Sequence, residues 1–323
     1  MPQETLDSYL NPESIAIIGA SSTNAHNVGS LAASLLKASY RGRLYLVSSK
    51  SSAVGGIPTH PSLADLPEQL DLLIIAVPAE AVVDVLKDAV EAGVKSALIF
   101  SAGFAETGTE GLAIQAKIVD IANSSGMRIG GPNTVGFVNF HDGIPATFFL
   151  PPGEPLREPG PVAIVSQSGG FASYIDEQAH AAGVHAGWLV ATGNEVNITV
   201  TDVLAYLVER PEVTVVACFS EAMQDAGAFI EVAVRAAELD KPFIVLKAGG
   251  SDAGQQAALS HTASIAGSDD VFSAVCRQYG VLRAESLEQM LDWLKVFQTG
   301  QRLRGTRLGI LTGVRRQCCP HGR

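Results

Sequence analysis

The sequence is poor in charge, in aromatic residues and in cysteine. Charged residues make up 17% of the 323 positions and aromatic residues 6%, while hydrophobic residues reach 47%. That balance excludes an intrinsically disordered chain and allows a large buried core. Basic residues are outnumbered, 22 against 33 acidic ones, for a net charge of -11. Duplex binding driven by phosphate neutralisation is therefore excluded and no nucleic-acid partner is expected, although a small basic pocket for one anion fits. The 4 cysteines show no metal-ligand spacing: Cys218 falls in an apolar run, Cys276 in a helical one, and Cys318 and Cys319 are adjacent. No metal site is expected, and the chain reads as a reduced, cytoplasmic protein. The most apolar stretch, LDLLIIAVPAEAVVDVL, is broken by Asp71, Pro78, Glu80 and Asp84, so it cannot serve as a membrane span. The opening MPQETLDSYL has neither a basic n-region nor an apolar h-region, so no secretory signal and no membrane partner are expected.

What is present is an alternation of short β-rich runs and helical segments, in a chain long enough for two domains. SIAIIGA (14–20), RLYLVSS (43–49), LDLLIIAVP (70–78), SALIFSAG (96–103) and MRIGGPN (127–133) read as strands separated by helical patterns. After the Pro-rich LPPGEPLREPGP (150–161) the alternation resumes with PVAIVSQSGG (161–170), HAGWLVATGN (185–194), VTVVACFSE (213–221) and FIVLKAGG (243–250). Short apolar runs joined by helices of about a dozen residues predict parallel strands with right-handed crossovers. The expected fold is α/β: a Rossmann-like unit followed by a flavodoxin-like one, both with parallel sheets. The expected domains are 1–145, 146–300 and a stub of a third α/β unit over 301–323.

That stub is anomalous. RLGILTG (307–313) reads as a first strand, but VRRQCCPHGR follows and is neither helical nor strand-like. GC-rich codons for those residues, read one base over, spell a Ser-Gly-Gly-Ser-Ala-Ala-like turn, so a truncation or frameshift is expected there. Sequencing the parent locus checks it.

Several strand ends carry loops suited to chemistry. Gly19, Ala20, Ser21 and Ser22 occupy a strand-to-helix turn of the kind that aims backbone N–H groups at a phosphate, or that is an ordinary tight turn. The dinucleotide fingerprint G-x-G-x-x-G and an acid ending the second strand are both missing, which argues against an NADP-dependent dehydrogenase. Ser48, Ser49 and Lys50 stand where that acid would be, a set suited to a phosphorylated ribose such as that of NADP or coenzyme A, with a solvated lysine as the alternative. AVPAE (76–80), FSAGFAE (100–106) and GPNTVG (131–136) end strands on the same rim, placing Val77, Pro78, Ser101, Gly103 and Asn133 there. In the second unit Ser166, Ser168, Gly169 and Gly170 open a helix directly after a strand, forming a phosphoryl cradle or a plain tight turn. A hydrolase elbow is disfavoured because Ser166 occupies the place of the first glycine of G-x-S-x-G.

Of 7 histidines, His261 lies in the small-residue loop GGSDAGQQAALSHTASIAG. An imidazole there can carry a phosphoryl group covalently, provided a carboxylate fixes its far nitrogen. Glu221, ending VACFSE, is the candidate carboxylate; a solvated loop histidine and a strand-end acid facing water are the alternatives.

Taken together, IAIIGAS, VPAE, FSAGFAETG, GPNTVG, VSQSGGF, VLKAGGS and above all SHTASIAG resemble the NDP-forming (ADP-forming) acyl-CoA synthetase family, related to the α subunit of succinyl-CoA synthetase. The resemblance spans about residues 5–313. It implies a coenzyme A-binding first domain and a second domain in which His261 is the phosphocarrier and Glu221 orients it. Ser166, Ser168 and Gly169 would hold the phosphate, and Gly19, Ser21, Lys50, Val77 and Pro78 would contact coenzyme A. The implied reaction joins a carboxylic acid to coenzyme A, with ATP converted to ADP and phosphate through an acyl phosphate. ATP/ADP with Mg would be handled by an ATP-grasp subunit or domain, which the residues here do not include, so no use of ATP by this chain alone and an oligomeric assembly are expected.

The chain also departs from the family pattern. Ala263 replaces a usual Gly, Gly250 stands where Arg is common, VSSK replaces a VNPK-like turn, and Asn197 stands where an acid is frequent. The competing expectation is a regulatory module that binds coenzyme A or acyl-CoA without turnover.

Overall fold

The computed structural model describes residues 6–19, 25–38, 40–150, 155–248, 269–301, 305 and 309. In the first half lie strands β1 (Ser14–Ile18), β2 (Arg43–Val47), β3 (Ala53–Val54), β4 (Ile57–His60), β5 (Leu72–Ile75), β6 (Ser96–Ile99) and β7 (Arg128–Gly130). Between them run α1 (Asp7–Leu10), α2 (Ala25–Lys37), α3 (Ala79–Glu91) and α4 (Thr109–Ser125). The spatial order is β3-β4-β2-β1-β5-β6-β7, parallel throughout except for β3. These strands read as continuous apolar runs because both faces are covered. Ile15, Ile17, Leu72 and Ile74 enter one core, and Ala16, Leu73, Ile75 and Ile99 enter the opposite one. On α3 the buried residues Val82, Leu86 and Ala89 recur at helical spacing and form the stripe that packs on the sheet.

The second half contributes β10 (Val162–Ser166), β11 (Ala186–Ala191), β12 (Val215–Ser220), β13 (Phe243–Lys247) and β14 (Leu282–Ala284). Its helices are α5 (Gly169–Ala181), α6 (Val200–Val208), α7 (Ala226–Glu238), α8 (Asp269–Tyr279) and α9 (Leu287–Phe297). Their starts are specified locally. Ser168, Asp225 and Ser286 each accept a backbone N–H at an N-cap, and Thr199 with Asp202 forms a full capping box ahead of α6.

The Rossmann-like and flavodoxin-like units are both present, but the sheets are parallel-dominated rather than wholly parallel. Two further strands, β8 (Gly136–Asn139) and β9 (Ile144–Thr147), extend the second sheet as an antiparallel hairpin, giving the order β14-β13-β12-β10-β11-β8-β9. The chain therefore enters the second sheet at Gly136, within the segment 1–145 expected for the first domain. The antiparallel edge is possible because a hairpin needs no crossover helix.

The halves share one core. Tyr9 meets Phe137 with ring centroids 5.3 Å apart, and Trp188 and Tyr206 join the same cluster. Polar clamps reinforce it. Asp7 Oδ1 accepts from the Tyr206 hydroxyl and from Arg210 Nη2, each at 2.6 Å. Cys218 and Cys276 are buried free thiols, as their apolar settings predict. Burial pushes both above the usual thiol range, Cys276 to about 11. Among the described residues no helix is long and apolar enough to cross a membrane, and no group of three or more His, Cys, Asp or Glu is placed to hold a metal ion.

Candidate functional site

Both sheets reverse strand order beside the first of their parallel strands, and this fixes where the functional loops lie. In the first sheet β1 sits between β2 and β5; in the second, β10 sits between β11 and β12. A crevice opens outside the carboxyl ends of the strands at such switch points. Gly19 follows β1 into the first crevice with φ +117°, and a Cβ there would overlap the carbonyl oxygen of Ala76 at the end of β5. Only glycine closes this turn against its neighbour strand.

Along the first rim the predicted residues are linked to one another. Ser101 Oγ donates to the carbonyl of Val77, Pro78 begins α3, and the Asn133 N–H donates to Ser101 O at 2.8 Å. Gly103, at φ +109°, turns its N–H onto Glu106 Oε1 at 2.7 Å. Asn133 itself has φ +57° and follows a cis Gly131–Pro132 bond. Its Nδ2 donates to Asn194 Oδ1 across the junction at 3.3 Å. Lys50 lies beyond β2 and is exposed, with its N–H on Ser48 Oγ at 3.3 Å. Ala20, Ser21 and Ser22 lie outside the described residues.

The rim continues without a break into the second half. The Asn194 N–H donates to Pro132 O and the Val196 N–H to Gly131 O, at 2.9 and 3.1 Å. Gly169 abuts the same loop: a Cβ there would come within 2.9 Å of Val135 Cγ1. Among the described residues, a Cβ on Gly170 would meet nothing within 4 Å. Ser168 caps α5 by accepting from the Phe171 N–H. Ser166 differs from expectation. It is fully buried, and its hydroxyl donates to Ser168 O at 2.7 Å, so it braces the turn from beneath instead of facing a ligand. Glu221, half-buried at the end of β12, stands beside this turn, with its N–H bonded to Gln167 Oε1 at 2.6 Å. His261, Ala263 and Gly250 lie outside the described residues. Two concavities of about 690 and 860 Å³ lie elsewhere and are lined by none of these rim residues.

Sequence reasoning missed the polar residues beneath the rim. Glu195, with φ +57° and 6% exposed, is desolvated by burial, which pushes its carboxyl above the usual range against the pull of its hydrogen bonds. Gln167 bonds to Glu195 and belongs to the same layer, while Asn194 bonds to Glu106; Asn197, noted in the sequence only as a departure, bonds to the Met127 carbonyl. A glutamate in TGNE, at the end of an otherwise uncharged strand, was the one visible signal.

Comparison with known proteins agrees with this arrangement. Residues 13–139 match a CoA binding domain and residues 159–297 match a succinyl-CoA ligase like flavodoxin domain. The chain is 36% identical over 309 residues to acetate–CoA ligase [ADP-forming] II subunit alpha of Pyrococcus furiosus, covering 96% of this chain and 66% of that one. It is 33% identical over 302 residues to acetate–CoA ligase [ADP-forming] II of Archaeoglobus fulgidus, covering 93% of this chain and 44% of that one. The solved Ca. Korarchaeum cryptofilum dinucleotide forming acetyl-coenzyme A synthetase 1, in complex with phosphate and ADP, superposes with a TM-score of 0.83 at 32% identity. That match covers 91% of this chain and 62% of that one. The chain thus spans about two fifths to two thirds of these relatives' lengths, and it belongs to the NDP-forming (ADP-forming) acyl-CoA synthetase family, related to the α subunit of succinyl-CoA synthetase.

Proposed function

We infer that this chain is the α-like part of an acid–thiol ligase, an ADP-forming acyl-CoA synthetase. Together with an ATP-grasp unit, without which this chain is incomplete, it would form acyl-CoA from a carboxylic acid, coenzyme A and ATP. The observation that carries the reading is the continuous hydrogen-bonded rim, which puts the Gly19, Val77, Ser101 and Asn133 loops on one edge with the Ser168–Gly170 turn and Glu221.

Coenzyme A is a substrate here. Its phosphates lie at the turn of Gly19, Ala20, Ser21 and Ser22, with the Lys50 ammonium on the phosphorylated ribose, and its arm runs past Val77, Pro78, Ser101, Gly103 and Asn133. The absence of any described residue within 4 Å of a Cβ on Gly170 and the close approach of the Gly169 backbone to the Asn133–Val135 loop suit a phosphoryl group held by Ser168, Gly169 and Gly170. Ser166 shapes that turn.

In the synthetic direction the γ-phosphoryl of ATP passes to an imidazole nitrogen of His261, at an ATP-grasp subunit or domain that binds the nucleotide with Mg. Glu221 holds the N–H of the other ring nitrogen and so supports the charge on phospho-His261. The acid's carboxylate attacks the phosphorus and releases neutral His261. The thiolate of coenzyme A then attacks the acyl carbon and expels inorganic phosphate. The acyl group is set by neither the rim nor the turn, and acetate, longer aliphatic acids and aromatic acids all enter the test as substrates.

The test supplies acyl-CoA and labelled phosphate with and without an ATP-grasp protein and looks for acid-labile label on His261. Label on wild type and none on His261→Ala is expected. No label on wild type, or equal label on the variant, overturns the reading, and tight coenzyme A binding without label shifts it to a binding module.

A further inference from the structure

Beneath the rim, one buried carboxylate dictates the orientation of the amide that joins the two loops of the second crevice. Glu195 accepts four hydrogen bonds, two at each oxygen. Oε1 takes the Thr192 hydroxyl and the Val200 N–H, each at 2.8 Å, and Oε2 takes Gln167 Nε2 and Gln224 Nε2, each at 3.0 Å. A carboxylate offers about four lone-pair positions, and all are filled by donors. Gln167 is equally saturated. Its Nε2 also donates to Ala222 O at 2.7 Å. Its Oε1 accepts from the Ser220 hydroxyl at 3.1 Å, the Glu221 N–H at 2.6 Å and the Ala222 N–H at 3.0 Å.

The two ends of the Gln167 amide differ chemically, and Glu195 decides which end faces inward. With an acceptor at 195, Nε2 must point to it, and Oε1 is left for the N–H groups of the β12 terminus. With a donor at 195, the amide would turn over and set its NH₂ against the N–H groups of Glu221 and Ala222. That would leave part-buried donors without their acceptor, which is costly.

We propose that Glu195 is a positioning residue: through Gln167 it fixes the spacing between the Ser168–Gly170 turn and the Glu221 end of β12, and thereby the placement of Glu221 for phosphoryl transfer. This rests on the function proposed above for Glu221 and His261. It assigns work to three side chains, Glu195, Gln167 and Gln224, joined by hydrogen bonds beside the turn.

The test uses the chain assembled with its ATP-grasp partner and reads two quantities. Amide hydrogen exchange follows the segment Phe219–Gln224, and steady-state kinetics separates kcat from the KM for coenzyme A. Glu195→Gln keeps shape and removes the charge and two acceptor positions. Exchange at Glu221 and Ala222 should rise about tenfold while β10 and β11 stay protected, and kcat should fall about 10- to 100-fold, the loss usual when a supporting hydrogen-bond partner is removed. KM for coenzyme A should stay within about twofold, because the first rim is untouched. The swap Gln167→Glu/Glu195→Gln restores a donor–acceptor pair with reversed polarity and should recover part of the exchange protection. Gln167→Met gives the same exchange result if Glu195→Gln does not fold. Exchange and kcat in Glu195→Gln within about twofold of wild type, or a swap no better protected than the single variant, overturns the proposal. Absence of label on wild-type His261 would instead count against the proposed function, and the exchange measurement would still decide the role of Glu195.

Discussion

Asn197 holds Ile129 across the domain junction: its Oδ1 accepts the Ile129 N–H at 2.7 Å while its Nδ2 donates to Met127 O at 2.9 Å. One amide thus pairs with the backbone of β7 as an additional strand would. An aspartate here would keep the first bond and turn a negative oxygen toward the Met127 carbonyl. Asn197→Asp should therefore lose about 1–3 kcal/mol of stability at neutral pH, read from the denaturant midpoint. A change below about 0.5 kcal/mol would show that the junction does not depend on this amide.

Glu106 couples the Gly103 turn to the second half. Burial pushes its carboxyl up, but the Asn194 amide and the N–H groups of Gly103 and Phe104 outweigh that and hold it below the usual range. A group lowered on folding contributes stability that is present above its unfolded value and lost as pH falls through the folded value. Glu106→Gln should cost at most about 1 kcal/mol at pH 7, because the group is largely exposed. The gap between variant and wild type should close as pH drops below about 4, and a gap that is constant with pH would refute the assignment.

Gly19 tests the first crevice. Gly19→Ala drives a methyl into the Ala76 carbonyl at a backbone angle that side chains avoid. The expected loss exceeds about 2 kcal/mol in thermal unfolding, with coenzyme A affinity reduced in parallel. Unchanged melting would mean the turn relaxes at little cost.

Lys50 tests the proposed contact with the ribose phosphate of coenzyme A. Lys50→Ala should weaken coenzyme A about three- to tenfold and reduce the salt dependence of binding, as expected for an exposed ion pair worth about 1 kcal/mol. Binding of 3′-dephospho-coenzyme A should be unaffected. Equal weakening of both ligands would place Lys50 elsewhere on the cofactor.

The main architecture was legible because strands buried on both faces leave apolar runs such as LLII (72–75) and VAIVS (162–166), and helices between them leave period-3.6 stripes. The hairpin of β8 and β9 was not. GFVN and IPAT are four residues each, the second contains Pro145, and both follow a turn-rich segment that reads as loop. Of the candidate site, the glycine and serine turns were visible through their required backbone freedom. The layer beneath them was not, because Gln167 sits inside SQSGG as an unconstrained letter and its partners Glu195 and Ala222 are 28 and 55 positions away. Ser166 was visible as a residue but not in its direction; a hydroxyl on a strand gives no sign of which side of the turn it serves.

The β8–β9 hairpin has a consequence for anyone dividing this protein into modules. Separated at the Pro-rich stretch, the C-terminal piece would lose two edge strands and leave the β11 backbone from Trp188 to Val190 bare, an open invitation to self-association. The N-terminal piece would keep the hairpin with the β8 edge that faces β11 unpaired. A scissor point between Gly130 and Gly136 respects the sheets, yet it severs the turn that carries Asn133. These halves are stitched, so transplanting one without the other sacrifices either the fabric or the seam.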